Sequence, residues 1–322
     1  MATKDSLAKR RRRLLVLRAL GLGDFLTGVP ALRALADAFP DHTHQLVAPA
    51  LLSPLVGLLD GDWQLVDGAP LAPLDRALAR PDVAVNLHGR GPQSHRALLE
   101  SDPGRLIAFR HPEVRASAAG PSWLAGEHEV ARWCRMLAES GVPADRGRLE
   151  LNRPAPAAAA SGATIVHPGA ASAARRWPAD RFAAVARFER EAGRTVLVTG
   201  ASGELELARE VARAAGLSQQ AVLAGRTGLA ELAALVAAAG RVVCGDTGIA
   251  HLATALGTPS VVLFGPTSPA HWGPPHQRPV HIALWAGRHG DPHAGQVDAG
   301  LLEIEVEDVL DALHAGPPRS GG

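Results

Sequence analysis

The stretch Val242-Val243-Cys244-Gly245-Asp246-Thr247-Gly248-Ile249-Ala250-His251-Leu252-Ala253 joins a short apolar run to a helical pattern. The apolar run, closed by Gly245, predicts a buried strand, and the residues from Thr247 onward predict a helix. A strand that passes directly into a helix is typical of α/β proteins with parallel sheets, which bind ligands where their strands end. The stretch therefore predicts an α/β fold with a ligand site beside Gly245.

The same alternation of strand and helix patterns runs along the rest of the chain. In the first half we predict strands at 14–18, 44–48, 83–87 and 105–109. We predict helices there at 29–38, 92–100 and 127–140. In the second half we predict strands at 163–167, 195–199, 220–223, 241–244 and 260–264. We predict helices there at 178–192, 203–215, 228–239 and 247–257. Alternation in both halves predicts two parallel sheets covered by helices.

The chain of 322 residues is longer than a single hydrophobic core usually supports. A segment rich in proline and alanine, 152–161, resembles an interdomain linker. We therefore predict one domain over residues 1–152 and a second over 153–322. The last helix, 305–314, follows an irregular segment, 284–300, and could pack back on the N-terminal domain.

The composition limits the partners. Apolar residues make up 47% of the chain, charged residues 20%, and the net charge is +1, so no nucleic-acid partner is expected. Two cysteines, Cys134 and Cys244, cannot build a disulfide framework, which fits a reducing cytoplasm. No apolar run approaches the ~20 residues of a membrane helix.

A basic segment near the start of the sequence, Lys9, Arg10, Arg11, Arg12 and Arg13, is followed by four apolar residues. Because a charged residue interrupts the apolar run and no cleavage site follows, a signal peptide is not favoured. We expect a solvated basic tail. The alternative is a weak contact with the anionic inner face of the membrane, which would make the protein peripheral there.

The first candidate site, Arg18 to Asp24, follows the first predicted strand. Gly21 and Gly23 allow a tight turn, but Leu26 occupies the place of the third glycine of a dinucleotide fingerprint, so an NAD site is not favoured. Asp24 offers one carboxylate at the carboxyl end of a strand, where it could act as a general base. The alternative is a helix N-cap, and the local sequence slightly favours it.

The second candidate site, His167 to Pro178, begins where another predicted strand ends. Its small residues expose backbone N–H groups, and Arg175 and Arg176 supply permanently charged donors, a combination that suits a phosphate. Pro178 is in place to begin a helix. The alternative is a surface loop with solvated arginines.

The third candidate site is the Gly-Asp-Thr-Gly turn of the opening stretch. Thr247 and Gly248 lie where the N–H groups of a helix N-terminus would bind a phosphate, His251 is one turn further on, and Asp246 could hold sugar hydroxyls. A capped core helix is the alternative reading. A loop at 263–275 could place Thr267 against a phosphate, or could be plain loop structure.

His289, Asp291 and His293 alternate in a predicted loop. A metal site there is conceivable, but nothing nearby in the sequence completes its ligand shell, so a surface loop is the default expectation.

Together these segments resemble glycosyltransferase family 9, the ADP-heptose:lipopolysaccharide heptosyltransferases. The resemblance spans almost the whole chain, because the matching pieces run in family order: Leu20-Gly21-Leu22-Gly23-Asp24, Pro30-Ala31-Leu32-Arg33-Ala34-Leu35, His167-Pro168-Gly169-Ala170, Arg175-Arg176-Trp177-Pro178, Gly245-Asp246-Thr247-Gly248 through Ala253, Gly257-Thr258-Pro259 and Phe264-Gly265-Pro266-Thr267.

The resemblance implies a GT-B fold, in which two Rossmann-like domains with parallel sheets face each other across a cleft. It implies acceptor binding in the N-terminal domain, donor binding in the C-terminal domain, and a catalytic base at Asp24. Arg175 stands where the family usually has a lysine that contacts the donor phosphates. The implied donor-binding residues are His167, Gly169, Ser172, Arg175, Asp246, Thr247, Gly248, His251 and Thr267.

The function expected from the resemblance is that of an inverting, metal-independent glycosyltransferase without a cofactor. It would transfer a sugar, heptose from ADP-heptose, to a hydroxyl of a glycan, a glycolipid or a small-molecule acceptor. Two alternatives stay open. One is a sugar-nucleotide epimerase or hydrolase on the same fold, and the other is a non-catalytic nucleotide-sugar-binding protein.

Overall fold

The computed structural model describes residues 11–315, which form two five-stranded sheets. The first sheet has the order β3-β2-β1-β4-β5 and the second β10-β9-β8-β6-β7, and every pair of neighbouring strands is parallel. The strands are β1 (Arg12–Leu17), β2 (His42–Ala48), β3 (Trp63–Asp67), β4 (Val83–Asn86), β5 (Arg105–Ile107), β6 (Thr164–His167), β7 (Val196–Val198), β8 (Arg241–Gly245), β9 (Ser260–Phe264) and β10 (His281–Trp285).

Helices connect the strands. They are α1 (Leu22–Thr27), α2 (Val29–Ala38), α3 (Ser53–Val56), α4 (Gln93–Leu99), α5 (Glu129–Glu139), α6 (Ala179–Glu191), α7 (Leu205–Ala214), α8 (Leu229–Ala238), α9 (Gly248–Leu256), α10 (Pro269–Trp272), α11 (Ala299–Leu302) and α12 (Val306–Ala315). No helix within residues 11–315 is long and apolar enough to cross a membrane.

Burial explains why the central strands form. All residues of β4, β6 and β9 are buried, as expected for strands covered by helices on both faces. The core of the second sheet packs Trp177 and Phe182, with rings in edge-to-face contact at 5.1 Å, against Val166, Val243 and Leu263. These apolar strands hold the loops at their carboxyl ends in fixed positions.

One predicted strand was wrong and two strands were missed. Residues 220–223 do not form a strand, because Val222 makes only an isolated bridge to Val198 before the chain turns at Gly225 with φ +69°. The edge strands β3 and β10 were not predicted, because both are partly exposed and lack a long apolar run.

The basic segment differs in part from expectation. Lys9 and Arg10 lie outside the described residues, but Arg12 and Arg13 are part of β1 rather than of a solvated tail. The guanidinium of Arg13 donates to the carbonyl of Ala77 at 2.9 Å. The apolar face of helix α12, with Val309, covers the second sheet and α6.

The described residues form two compact units. The first contains residues 11–20, Ala31–Trp123 and Trp133–Asp145. The second contains Gly21–Pro30, Leu124–Arg132 and residues 146–315. This division departs from a single cut after residue 152, because α1 and the segment 124–132 belong with the second sheet.

Candidate active site

Three of the predicted segments follow neighbouring strands of the second sheet. The strand order places β8 between β6 and β9, so the loops after His167, Gly245 and Phe264 leave the same edge side by side. The chain order also reverses between β6 and β8. Parallel sheets bind ligands outside the carboxyl ends of their strands at such a reversal.

Arg175 is held against the turn that follows β8. Its Nη1 atom donates to the carbonyl oxygen of Asp246 at 3.2 Å and lies 3.9 Å from the Oδ2 atom of the same residue. Its Nε atom is buried and has no hydrogen-bond partner among the described residues. The two segments predicted to bind a phosphate are therefore in direct contact.

Asp246 is a buried carboxylate, only 7% exposed. Burial raises the pKa of this carboxyl from 3.8 to about 6, and the positive charge of Arg175 opposes the shift. The group is thus mainly ionised at neutral pH although its surroundings disfavour the charge. Such a carboxylate can accept hydrogen bonds from ligand hydroxyls.

Helix α9 begins at Gly248, two residues after Asp246. Thr247 is its N-cap, with extended backbone (φ −153°, ψ 171°), and the Thr247 side chain makes no capping hydrogen bond. The N–H of Ala250 donates to the carbonyl of Thr247 at 3.0 Å, so Gly248 and Ile249 carry the N–H groups that the start of the helix offers to an anion, and the helix dipole adds positive potential there. Thr247, Gly248 and His251 are all partly exposed at this end of the helix.

Helix α1 packs against this first turn of α9. A Cβ atom added to Gly248 would lie 2.9 Å from Cγ of Leu22, and one added to Gly23 would lie 3.1 Å from Cδ2 of His251. Glycine at both positions permits this close approach. Gly23, the residue before Asp24, consequently lies next to the helix end that carries the predicted donor-binding residues.

The N-cap alternative for Asp24 is corrected by the structure. The N-cap of α1 is Gly21, and Asp24 is the third residue of the helix. Its Oδ2 atom lies 3.6 Å from where a Cβ atom on Gly21 would be. A carboxylate in the first turn still stabilises a helix through the dipole, so the base and the structural roles remain distinct predictions.

Sequence reasoning missed Glu204, which lies beyond β7 at the same edge of the sheet. Its Oε2 atom accepts from the N–H of Ala201 at 2.7 Å and lies 3.9 Å from Nε2 of His167. His167 is buried, which lowers its pKa, and its Nδ1 atom is 2.9 Å from the hydroxyl of Thr199. The Glu204 carboxylate also lies close to the backbone of Gly169. A Cβ atom added to Gly169 would overlap this carboxylate. The Gly200-Ala201-Ser202-Gly203 turn marks the end of β7 in the sequence, but it does not indicate the contact of Glu204 with Gly169.

The remaining predicted residues lie in loops of the same unit. The hydroxyl of Ser172 donates to the carbonyl of Pro292 at 2.5 Å, which ties the loop after β6 to the segment before α11. Thr267 is partly exposed after β9. His289 contacts Trp285, and Asp291 accepts from the N–H of His293 at 2.9 Å. Within residues 11–315 no group of three or more His, Cys, Asp or Glu side chains could hold a metal ion.

The family model for glycosyltransferase family 9 (heptosyltransferase) matches residues 121–294, more than half of the chain. The chain belongs to glycosyltransferase family 9. The match includes Arg175 and the whole turn from Asp246 to His251. No curated protein sequence matches the chain significantly.

Solved structures resemble this family 9 glycosyltransferase along nearly its full length. A family 9 glycosyl transferase from Veillonella parvula has 21% identity and a TM-score of 0.77, covering 95% of this chain and 97% of its own. The E. coli ADP-heptose lps heptosyltransferase II has 21% identity and a TM-score of 0.74, covering 94% and 98%. The E. coli heptosyltransferase WaaC with ADP has 18% identity and a TM-score of 0.69, covering 94% and 97%.

These similarities confirm two sequence predictions. The fold is GT-B, with two Rossmann-like domains that each contain a five-stranded parallel sheet. The protein is a glycosyltransferase, as its family membership shows.

Proposed function

We propose that this enzyme transfers heptose from ADP-heptose to an acceptor hydroxyl, with inversion at the anomeric carbon and without a metal ion. The observation that carries the proposal is the contact of Arg175 with the turn that begins α9. A guanidinium and a helix N-terminus together present fixed positive potential at one point of the sheet edge. Both features bind phosphate, and a nucleotide-sugar donor carries two phosphate groups.

The same arrangement suits the leaving group. As the bond between the anomeric carbon and the diphosphate oxygen breaks, negative charge develops on the diphosphate. Preorganised N–H dipoles and Arg175 stabilise that charge in the transition state, which is the task that a metal ion performs in other transferases.

Asp24 is the proposed base. The acceptor oxygen attacks the anomeric carbon, its proton passes to the Asp24 carboxylate, and the diphosphate leaves from the opposite face, so a single displacement inverts the configuration. The packing of α1 on α9 supports this role, because Gly23, the neighbour of Asp24 in the chain, lies close to His251.

The choice of donor is supported by similarity. The E. coli relatives of this fold are an ADP-heptose heptosyltransferase and a heptosyltransferase solved with ADP. Asp246 and Glu204 are partly desolvated carboxylates at the same sheet edge, and both can accept hydrogen bonds from sugar or ribose hydroxyls.

For the acceptor we propose the carboxyl edge of the first sheet. Arg18, fully buried after β1, stacks on Trp133 with 5.0 Å between its Cζ atom and the ring centroid. His88 follows β4, and burial together with the charge of Arg18 lowers its pKa. A neutral imidazole beside a guanidinium can bind the hydroxyls of a glycan, a glycolipid or a small-molecule acceptor.

The test is a calorimetric comparison of ADP, GDP and UDP, followed by turnover of ADP-heptose. We expect ADP to bind most tightly and Arg175→Ala to weaken it by about tenfold or more, since loss of a charge-assisted hydrogen bond costs ~1.5–3 kcal/mol. The matched control for loss of one arginine is Arg209→Ala on α7, because Arg209 pairs with Glu206, which is exposed. Equal ADP affinity in both folded variants would contradict the proposed donor site. Turnover of ADP-heptose without any acceptor would favour the hydrolase.

A further inference from the structure

His251 is enclosed from two sides within the second unit. On one side lies the backbone of Gly23: a Cβ atom added to this glycine would be only 3.1 Å from Cδ2 of His251. On the other side the ring of Trp272, the last residue of α10, meets the imidazole edge-to-face, with 6.0 Å between centroids and an interplanar angle of 65°. An imidazole held between a backbone and an indole has few rotamers left.

Trp272 is itself held in place from a distant part of the chain. The loop after α10 begins at Gly273, whose carbonyl oxygen lies 3.0 Å from Nε2 of His128. The Nδ1 atom of His128 accepts from the N–H of Val130 at 3.2 Å, which leaves Nε2 as the N–H donor. Burial lowers the pKa of His128, so the imidazole is neutral at pH 7 and this tautomer persists.

The segment that carries His128 is anchored in turn by a buried ion pair. Arg132 pairs with Glu129, and both side chains are less than a tenth exposed. The Nη2 atom of Arg132 also donates to the carbonyls of Leu124 and Ala125 at 3.3 Å and of Glu127 at 2.9 Å. Residues 124–132 therefore form a fixed support for the loop that carries Trp272.

We propose that Trp272 is a positioning residue for the transfer reaction: with Gly23 it clamps the His251 imidazole at the N-terminus of α9, and His128 fixes the loop that carries it. The proposal rests on the donor site proposed above. The clamp orients His251 towards the diphosphate before the donor binds. Rigid placement of a polar group of this kind lowers the cost of forming its hydrogen bond to the ligand.

The first experiment needs no ligand. With ¹³C-labelled histidine, the His251 ring signals are assigned by their loss in His251→Gln. We expect them to be displaced by the Trp272 ring current in the wild type, to move towards random-coil positions in Trp272→Ala, and to stay displaced in Trp272→Phe. Unchanged His251 signals in a folded Trp272→Ala variant would overturn the clamp, whatever the donor is.

The second experiment asks whether Trp272 acts through His251. ADP affinity, with GDP and UDP measured beside it, is determined for the wild type, Trp272→Ala, His251→Ala and the double variant. We expect Trp272→Ala alone to weaken ADP binding about threefold to tenfold, the range of an aromatic pair. In the His251→Ala background we expect less than a twofold effect, and we expect Trp272→Phe to restore most of the affinity.

The outcomes are distinguishable. Equal effects of Trp272→Ala with and without His251 would mean that Trp272 contacts the ligand directly or only stabilises the fold, and the clamp would be wrong while the donor site stands. No effect of His251→Ala on binding would also overturn it. If none of the three nucleotides binds the wild type, the proposed donor site fails, and the histidine spectra still decide the clamp.

Discussion

Replacing Asp246 with asparagine should change how the stability of the protein depends on pH. The pKa of this carboxyl is raised from 3.8 to about 6 by burial, so the folded state binds the proton more tightly than the unfolded state. The stabilising contribution of the protonated form is fully present below pH 3.8 and is lost as the pH rises through about 6. A shift of this size corresponds to about 3 kcal/mol at most.

Within an accessible range, from pH 4.5 to 7.5, about 2 kcal/mol of that effect should be lost. Asparagine keeps the shape of the side chain but does not titrate. We therefore expect the free energy of unfolding of the wild type, relative to Asp246→Asn, to fall by about 2 kcal/mol between those pH values. At pH 7.5 the variant should be the more stable protein.

The assay is urea unfolding at both pH values, followed by tryptophan fluorescence, with Asp180→Asn as the control. Asp180 is exposed in the first turn of α6, so its replacement removes the same charge from a solvated position. If the difference between wild type and Asp246→Asn is the same at pH 4.5 and 7.5, the buried carboxylate is not disfavoured and the reasoning about its environment is wrong.

Three further predictions follow from the site. Asp24→Asn should reduce kcat by ~10²-fold or more while the melting temperature and ADP affinity stay near those of the wild type, and turnover within threefold of the wild type would exclude Asp24 as the base. Gly248→Ala should destabilise the protein by about 1–3 kcal/mol, because the new methyl group overlaps Leu22, and Leu22→Ala in the same chain should restore part of the loss in thermal unfolding. Transfer from ADP-heptose should persist in excess chelator, and activity that disappears and returns only with magnesium or manganese would refute metal-independent catalysis.

The helices and strands predicted most accurately from the sequence are those in which burial and the spacing of apolar residues indicate the same structure over a long segment. Helix α2 was predicted at its observed bounds, and so was β9, because an amphipathic ten-residue run and an uninterrupted apolar run leave little choice. Edge strands such as β10 give a weaker pattern, since one side of the strand has no partner and its residues stay partly exposed.

In the candidate site, too, some features could be predicted from the local sequence and others could not. The turn at Asp246 could be identified from its sequence because a strand end, a glycine and a helix start are all local signals. The contact between Gly23 and His251 could not, because it joins residues far apart in the chain and depends on tertiary packing. Glu204 was overlooked for a related reason, as nothing in the local pattern distinguishes a carboxylate against Gly169 from one that only begins a helix.

The grouping of α1 with the second sheet has a practical consequence for anyone who divides this protein. A fragment cut at the linker and beginning at residue 153 would contain every segment proposed to bind phosphate, yet it would lack the helix whose Leu22 covers Gly248. It would also lack the segment that supports the loop after α10. Such a fragment should be prone to aggregation and should recover nucleotide binding when residues 21–30 are supplied, either fused through a flexible linker or as a circularly permuted chain. The compact unit that contains the proposed donor site is thus not encoded by one contiguous stretch of the gene.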